Sequence, residues 1–265
     1  MGETIYKYVT AEVGALILKE LTLKATRPDE FNDPFEFMPR MSERFDVAEL
    51  QGMYQHATEM ARRSEMPPPA NYRETVQMVM ANPAILRLIA PSYSAMCQKL
   101  TRTYNETIAC DTGVICFSGR RDRVLMWSHY ADEHKGIVIG FDSSHFPKLF
   151  QVQYSKTRVL VNPYTEHVPG SQSESNYVDD LVSTKHEDWH YEEEYRQLHR
   201  LPKRAAKNEL HTIPIPAECI VSVAVGMRYE GTEIPEAVAK LGSRLQLERA
   251  VPHPHEFTVI FEPFK

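Results

Sequence analysis

Trp189-His190-Tyr191-Glu192-Glu193-Glu194-Tyr195-Arg196 sets three adjacent carboxylates and an arginine among aromatic side chains. Two readings of this stretch lead to two different molecules. As a β-strand, its period of two puts Glu192, Glu194 and Arg196 on one face, with successive same-face residues roughly 6.5–7 Å apart. Carboxylates at that separation can share a ligand, and their repulsion raises the pKa of one of them. An arginine beside them offsets the charge or clamps a phosphate. As a helix, the same residues form a solvated face with a Glu192–Arg196 pair four residues apart.

Outward from this stretch, β-branched and apolar runs mark further strands at 4–8, 21–25, 113–118, 136–142, 150–154, 219–225 and 257–261. Helical spacing marks a helix that Thr10 caps and that runs to about Glu20, with Val13, Leu16 and Ile17 as its apolar residues. A second helix is expected at 123–134, capped by Asp122 and followed by Gly136, and others at 178–184 and 235–241. Residues 42–105 show no strand pattern and read as a helical insertion or lid, with Met66-Pro67-Pro68-Pro69 as a stiff connection. The stretch 169–176, rich in Ser and Gln, reads as a mobile loop. Strands and helices mix without regular βαβ alternation. The expected fold is a single α+β domain over 1–265 with mixed or antiparallel central sheets.

Composition narrows the function classes. With 42% hydrophobic and 25% charged residues among 265, the chain has material for a real core. A net charge of -6 argues against sequence-independent nucleic-acid binding. The four cysteines, Cys97, Cys110, Cys116 and Cys219, show no C-x-x-C spacing. A reduced compartment fits them, and no leader pattern or membrane-length apolar run is seen, so a cytoplasmic protein without membrane contact is expected. Rossmann, Walker A, H-E-x-x-H, EF-hand and G-x-S-x-G motifs are absent, and no metal site is expected.

Four clusters carry candidate chemistry. Tyr6-Lys7-Tyr8 sets a lysine between tyrosines on a strand, facing a ligand or packing across the sheet. Phe31-Asn32-Asp33-Pro34-Phe35-Glu36 presents Asn32 and Asp33 as hydrogen-bonding groups or closes a turn. Cys116-Phe117-Ser118 ends a strand on a hydroxyl, and Met126-Trp127-Ser128-His129-Tyr130-Ala131-Asp132 puts Trp127, Tyr130 and Ala131 on one helix face, with His129 off it. The acidic stretch is the fourth.

Together these clusters resemble the bacterial family called domain of unknown function 2971. Its members carry a Tyr-Lys-Tyr-like first strand, Asn-Asp-Pro-Phe-Glu, Cys-Phe-Ser, Met-Trp-Ser-His-Tyr-Ala-Asp and Trp-x-Tyr-Glu-x-Glu-Tyr-Arg. More distantly, the order of parts resembles the ADP-ribosyltransferase fold. That likeness implies NAD as substrate, with Glu194 stabilising charge on the ribose and Glu192 orienting or deprotonating the acceptor. It implies nucleotide contacts from Lys7, Tyr8, Asn32, Asp33, Ser118, Trp127, His129, Tyr130 and Arg196, with Lys7 and Arg196 on the pyrophosphate and Tyr130 or Trp127 stacking. The sequence departs from that pattern at Lys7, where such enzymes place His or Arg. The acceptor is open between protein, nucleic acid and water, and the setting suggested is a toxin or defence system. Two alternatives stand beside this one. One is a non-catalytic sensor of nucleotide or peptide. The other is a metal-dependent phosphoesterase or nuclease using Asp33, Glu36 and Glu192.

Overall fold

Ile137-Val138-Ile139-Gly140-Phe141-Asp142 is buried at every residue, as a strand covered on both faces must be. The computed structural model describes residues 2–41, 111–161, 179–202, 206–242 and 245–264, with isolated positions between 55 and 106. In chain order the strands are β1 (Thr4–Val9), β2 (Thr22–Lys24), β3 (Arg40–Met41), β4 (Thr112–Ser118), β5 (Ile137–Asp142), β6 (Phe150–Gln151) and β7 (Gln153–Ser155). They continue as β8 (Leu160–Val161), β9 (Thr184–His186), β10 (Glu194–Arg200), β11 (Thr212–Pro214), β12 (Ile220–Val225), β13 (Leu247–Pro252) and β14 (Val259–Pro263). Among the described residues three helices accompany them, α1 (Ala11–Glu20), α2 (Val124–Tyr130) and α3 (Glu233–Lys240).

The fold is α+β around one eight-stranded sheet in the order β14-β13-β12-β5-β1-β4-β10-β6. Every neighbouring pair is antiparallel except β12 and β13. A parallel pair cannot be joined by a hairpin, and α3 lies in the crossover between those two strands. On one sheet face Ile137, Ile139 and Phe141 join the main core with Ile17 and Leu18 of α1 and Ile234 and Val238 of α3. On the other, Val138 packs with Tyr8, Met126, Trp127, Ala224 and Val259. Cα proximity divides the chain into two units. The first comprises Met1–Asp33, Ala109–Lys156 and Lys185–Lys265, and holds the large sheet. The second comprises Pro34–Ile108 and Thr157–Thr184, and holds the short parallel pair β3–β8.

Thr10 caps α1 as expected, accepting from the Val13 N–H at 3.3 Å. The buried face of α1 differs from the expected one. Gly14, Ile17 and Leu18 are covered, whereas Val13 and Leu16 are 43% and 52% exposed. A Cβ at Gly14 would lie 2.2 Å from Ile137 Cδ1, so a larger residue there would force the buried Ile137 side chain to move. Asp122 does not cap the next helix. That helix begins at Val124 without a side-chain cap, and the Asp122 carboxylate instead takes the Arg120 guanidinium. Nor does the helix reach His134. It stops at Tyr130, and Asp132, Glu133 and His134 have φ of 45°, 51° and 72°, a left-handed run that costs backbone energy and sharply reverses the chain. Five strands were not anticipated: the short β3, β8, β9 and β11, and β13, whose Leu-Glu-Arg-Ala-Val-Pro sequence has no clean alternation. The helical insertion expected at 42–105 lies outside the described residues apart from isolated helical positions, and the loop at 169–176 lies outside them altogether. Among the described residues no helix is long and apolar enough to cross a membrane.

Candidate functional site

The acidic stretch is neither of the two elements its sequence offers. Glu187–Glu192 is a 3-10 turn, Glu193 is left-handed at φ 44° and ψ 55°, and the strand begins only at Glu194. The expected single strand through Glu192, Glu194 and Arg196 is therefore corrected. The left-handed corner, and not a period of two, brings Glu192 and Glu194 together. Glu193 between them points elsewhere and pairs with Arg123.

Lys185, on β9, joins the two carboxylates. Its ammonium donates to Glu192 Oε2 at 2.6 Å and to Glu194 Oε2 at 3.1 Å. All three side chains are about 5% exposed. Arg196 adds a two-pronged clamp on Glu194, Nε to Oε1 and Nη2 to Oε2, both at 2.9 Å. The remaining Glu192 oxygen accepts from the Tyr130 hydroxyl at 2.6 Å, and that hydroxyl accepts from Asn32 Nδ2 at 3.0 Å. A chain of hydrogen bonds thus runs from buried Glu192 to exposed Asn32. The backbone N–H of Glu194 is satisfied by the Tyr154 hydroxyl at 2.9 Å.

The environments push the two carboxyls apart. Burial disfavours ionisation of both. In Glu194 the Arg196 and Lys185 charges overcome it and hold the pKa down to about 2, whereas in Glu192 burial prevails and the pKa is raised. Burial and the Glu192 charge raise the Tyr130 pKa, so that hydroxyl keeps its proton and donates it. A stability profile follows from linkage. Glu194, with its folded pKa depressed, contributes fully above its ordinary value near 4.5, and that contribution is lost as pH falls from there through about 2. The loss is on the order of 3 kcal/mol. Glu192 acts with the opposite sign, its ionised form costing stability as pH rises. Urea unfolding between pH 6 and pH 2.5 is expected to show a steeper decline for the native chain than for Glu194→Gln. Parallel declines would rule Glu194 out as the source.

The other expected site residues divide sharply. Ser118 and Glu194 are cross-strand partners, and Tyr6 pairs with Ser118 on the other side, so Tyr6, Ser118 and Glu194 form one row across β1, β4 and β10. The Ser118 hydroxyl, 1% exposed, lies 2.6 Å from the Glu192 carbonyl and 3.0 Å from the Arg120 carbonyl, and so holds backbone in place of a ligand. Lys7 donates to the Cys116 carbonyl at 2.9 Å, and burial lowers its pKa. Arg196 is wholly buried against Glu194 and is not placed to clamp a pyrophosphate. Trp127, also wholly buried, packs edge-on against Tyr8 with centroids 5.4 Å apart, and the Tyr8 hydroxyl bonds the Arg120 carbonyl. Neither ring offers a face to a ligand, because both are core. Asp33 is buried. His129 is exposed and forms an aromatic rim with Tyr130, Tyr191 and Trp189, their neighbouring centroids 6.1–6.3 Å apart. Sequence reasoning missed Lys185 and Tyr154, since nothing local separates a buried lysine or tyrosine from a solvated one. Among the described residues no three His, Cys, Asp or Glu side chains are gathered to hold a metal ion.

Most side chains of the cluster lie between Tyr130 and Arg196, and the comparison with known families falls on the same part of the chain. The model described as Protein of unknown function (DUF2971) matches residues 126–197. The resemblance to that family holds over this segment. The DUF2971 segment carries Tyr130, Tyr154, Lys185, Glu192, Glu194 and Arg196, which is nearly the whole carboxylate cluster. Asn32 and Ser118 come to it from outside the match. No curated protein and no solved structure matches the chain.

Proposed function

We propose that this chain is an NAD-using enzyme of ADP-ribosyltransferase-like chemistry in which Glu192 is the working carboxylate. One observation carries the reading. Glu192 and Glu194 share the Lys185 ammonium, yet Glu192 alone has an oxygen bonded to the Tyr130–Asn32 chain that leads outward. Further support comes from the Tyr6–Ser118–Glu194 row, which sets a first strand, a Ser-ended strand and a Glu-bearing strand side by side. That is the order of parts the ADP-ribosyltransferase resemblance implies, with Tyr6 in the first place and Lys7 beside it.

In this mechanism nicotinamide leaves with the electron pair of its glycosidic bond. The positive charge left on the ribose is stabilised by the fixed Glu192 carboxylate. An acceptor O–H or N–H attacks that carbon, and its proton passes to Glu192, whose raised pKa suits it to hold one. Glu194, held ionised by Arg196, keeps Lys185 in place. The charge-stabilising role that the resemblance implied for Glu194 thus falls to Glu192. A second reading, a nucleotide-binding module without turnover, is favoured by the balance of the cluster, in which two carboxylates face two cations.

The test is to incubate the chain with NAD labelled in the nicotinamide ring and, separately, in the adenosine. Free nicotinamide, with labelled acceptor or labelled ADP-ribose, is the expected result. Tight NAD binding in a calorimeter without nicotinamide release would establish the binding module instead. Neither binding nor release would remove NAD from consideration.

A further inference from the structure

The loop after β4 is held through its backbone at every residue. The Gly119 N–H donates to the Glu193 carbonyl at 2.8 Å. The Arg120 carbonyl accepts from the Tyr8 hydroxyl at 2.9 Å, and the Arg120 N–H donates to the Ser118 hydroxyl at 3.1 Å. The Arg121 carbonyl accepts from the Trp127 indole N–H at 2.9 Å, and the Asp122 carbonyl from the Thr258 hydroxyl at 3.1 Å. Three of these anchors, Tyr8, Ser118 and Trp127, come from the motifs that looked like ligand contacts in the sequence. All three are buried, and they meet on one surface loop. Fixing a loop in this way removes the ordering cost that binding would otherwise carry.

The loop lines a groove of about 390 Å³, within the usual range for small-molecule sites of roughly 300–1,000 Å³. Arg120, Arg121 and Asp122 face it from the loop, Tyr6 from β1, and Ile260 and Phe261 from β14. The Arg121 guanidinium carbon lies 3.9 Å from the Phe261 ring centroid, and the same group bonds Glu248, so its position is set. The Arg120 side chain is 46% exposed and holds both Asp122 oxygens, Nε to Oδ1 at 2.9 Å and Nη2 to Oδ2 at 2.5 Å, so an incoming anion competes with Asp122 for it. Two guanidiniums, one fixed and one reachable, beside the Tyr6 ring match one ligand chemistry.

We propose that this groove binds a nucleoside phosphate, the phosphate on the Arg120 and Arg121 guanidiniums and the base against Tyr6. The site requires no turnover at Glu192. NAD carries such a group, so the two readings are compatible, and the measurements keep them apart.

Calorimetric titration of the full chain with ADP, adenosine and inorganic phosphate tests the site. ADP is expected to bind, with adenosine and phosphate each at least about tenfold weaker. Arg120→Ala and Arg121→Ala are each expected to weaken ADP about tenfold, the loss of a charge-assisted pair. Asp122→Asn removes the competing carboxylate and is expected to tighten ADP by about threefold. Arg120→Ala and Asp122→Asn alter partly exposed side chains, so both should melt as the native chain does. Failure of ADP to bind, equal affinity for adenosine, or ADP binding indifferent to both arginine variants would overturn the proposal. ADP binding without nicotinamide release would sink the enzymatic reading alone. Nicotinamide release without ADP binding would sink the groove alone.

Discussion

Arg196→Met is expected to lower the free energy of unfolding by about 3–5 kcal/mol, because it leaves a buried carboxylate without its main partner. In a chain of this size that corresponds to a melting temperature lower by about 10 °C. The cost arises from Glu194, 4% exposed, which would be left with the Cys116 thiol and the Lys185 ammonium it already shares with Glu192. With the guanidinium gone, burial would raise the Glu194 pKa and the site would take up a proton. The double variant Glu194→Leu/Arg196→Met should recover most of the loss, since an apolar pair of similar volume needs no compensation in a buried position. Urea melts of the native chain, both single variants and the double variant give the coupling energy directly. An Arg196→Met chain within about 1 kcal/mol of native, below the usual cost of breaking a buried pair, would show that the clamp does not hold Glu194.

The second large effect concerns chemistry. Glu192→Gln is expected to reduce nicotinamide release by about 10²–10³, the usual cost of removing one electrostatic stabiliser of a developing charge. Glutamine keeps the size of the side chain, with its oxygen for the Lys185 ammonium and its N–H for the Tyr130 hydroxyl oxygen, so the protein should remain folded. Glu194→Gln is expected to act mainly through stability, with the surviving folded fraction turning over. Rates normalised to folded protein separate the two residues. If Glu192→Gln retained the native rate while Glu194→Gln abolished it in folded protein, the roles assigned to the two carboxylates would be reversed.

Most strands of the large sheet were legible because buried strands read as apolar runs, as β5 does along its whole length and β12 over most of it, whereas β13 has no such run. α1 was legible from its cap, although its buried face was not. Gly14 packs inward where a Cβ would meet Ile137, and that contact belongs to a partner 123 positions away. The end of α2 was missed because a left-handed run of Asp132, Glu133 and His134 has no glycine to announce it. The motif residues stood out in the sequence, but the contacts they make did not. Trp127, Tyr8 and Ser118 anchor a loop and pack the core, and the face they present depends on which element lies above them.

What the sequence by itself determined was local: periodicity, caps, turn residues and the density of acid and aromatic groups at 189–196. These follow from steric and hydrogen-bonding preferences acting over a few residues. Tertiary structure alone decided that Lys185 bridges Glu192 and Glu194, that Arg196 serves Glu194 and is closed to a ligand, and that the pKa values of the two carboxyls shift in opposite directions. Charge and desolvation depend on what is packed within a few ångströms in space, and neighbours along the chain do not specify that.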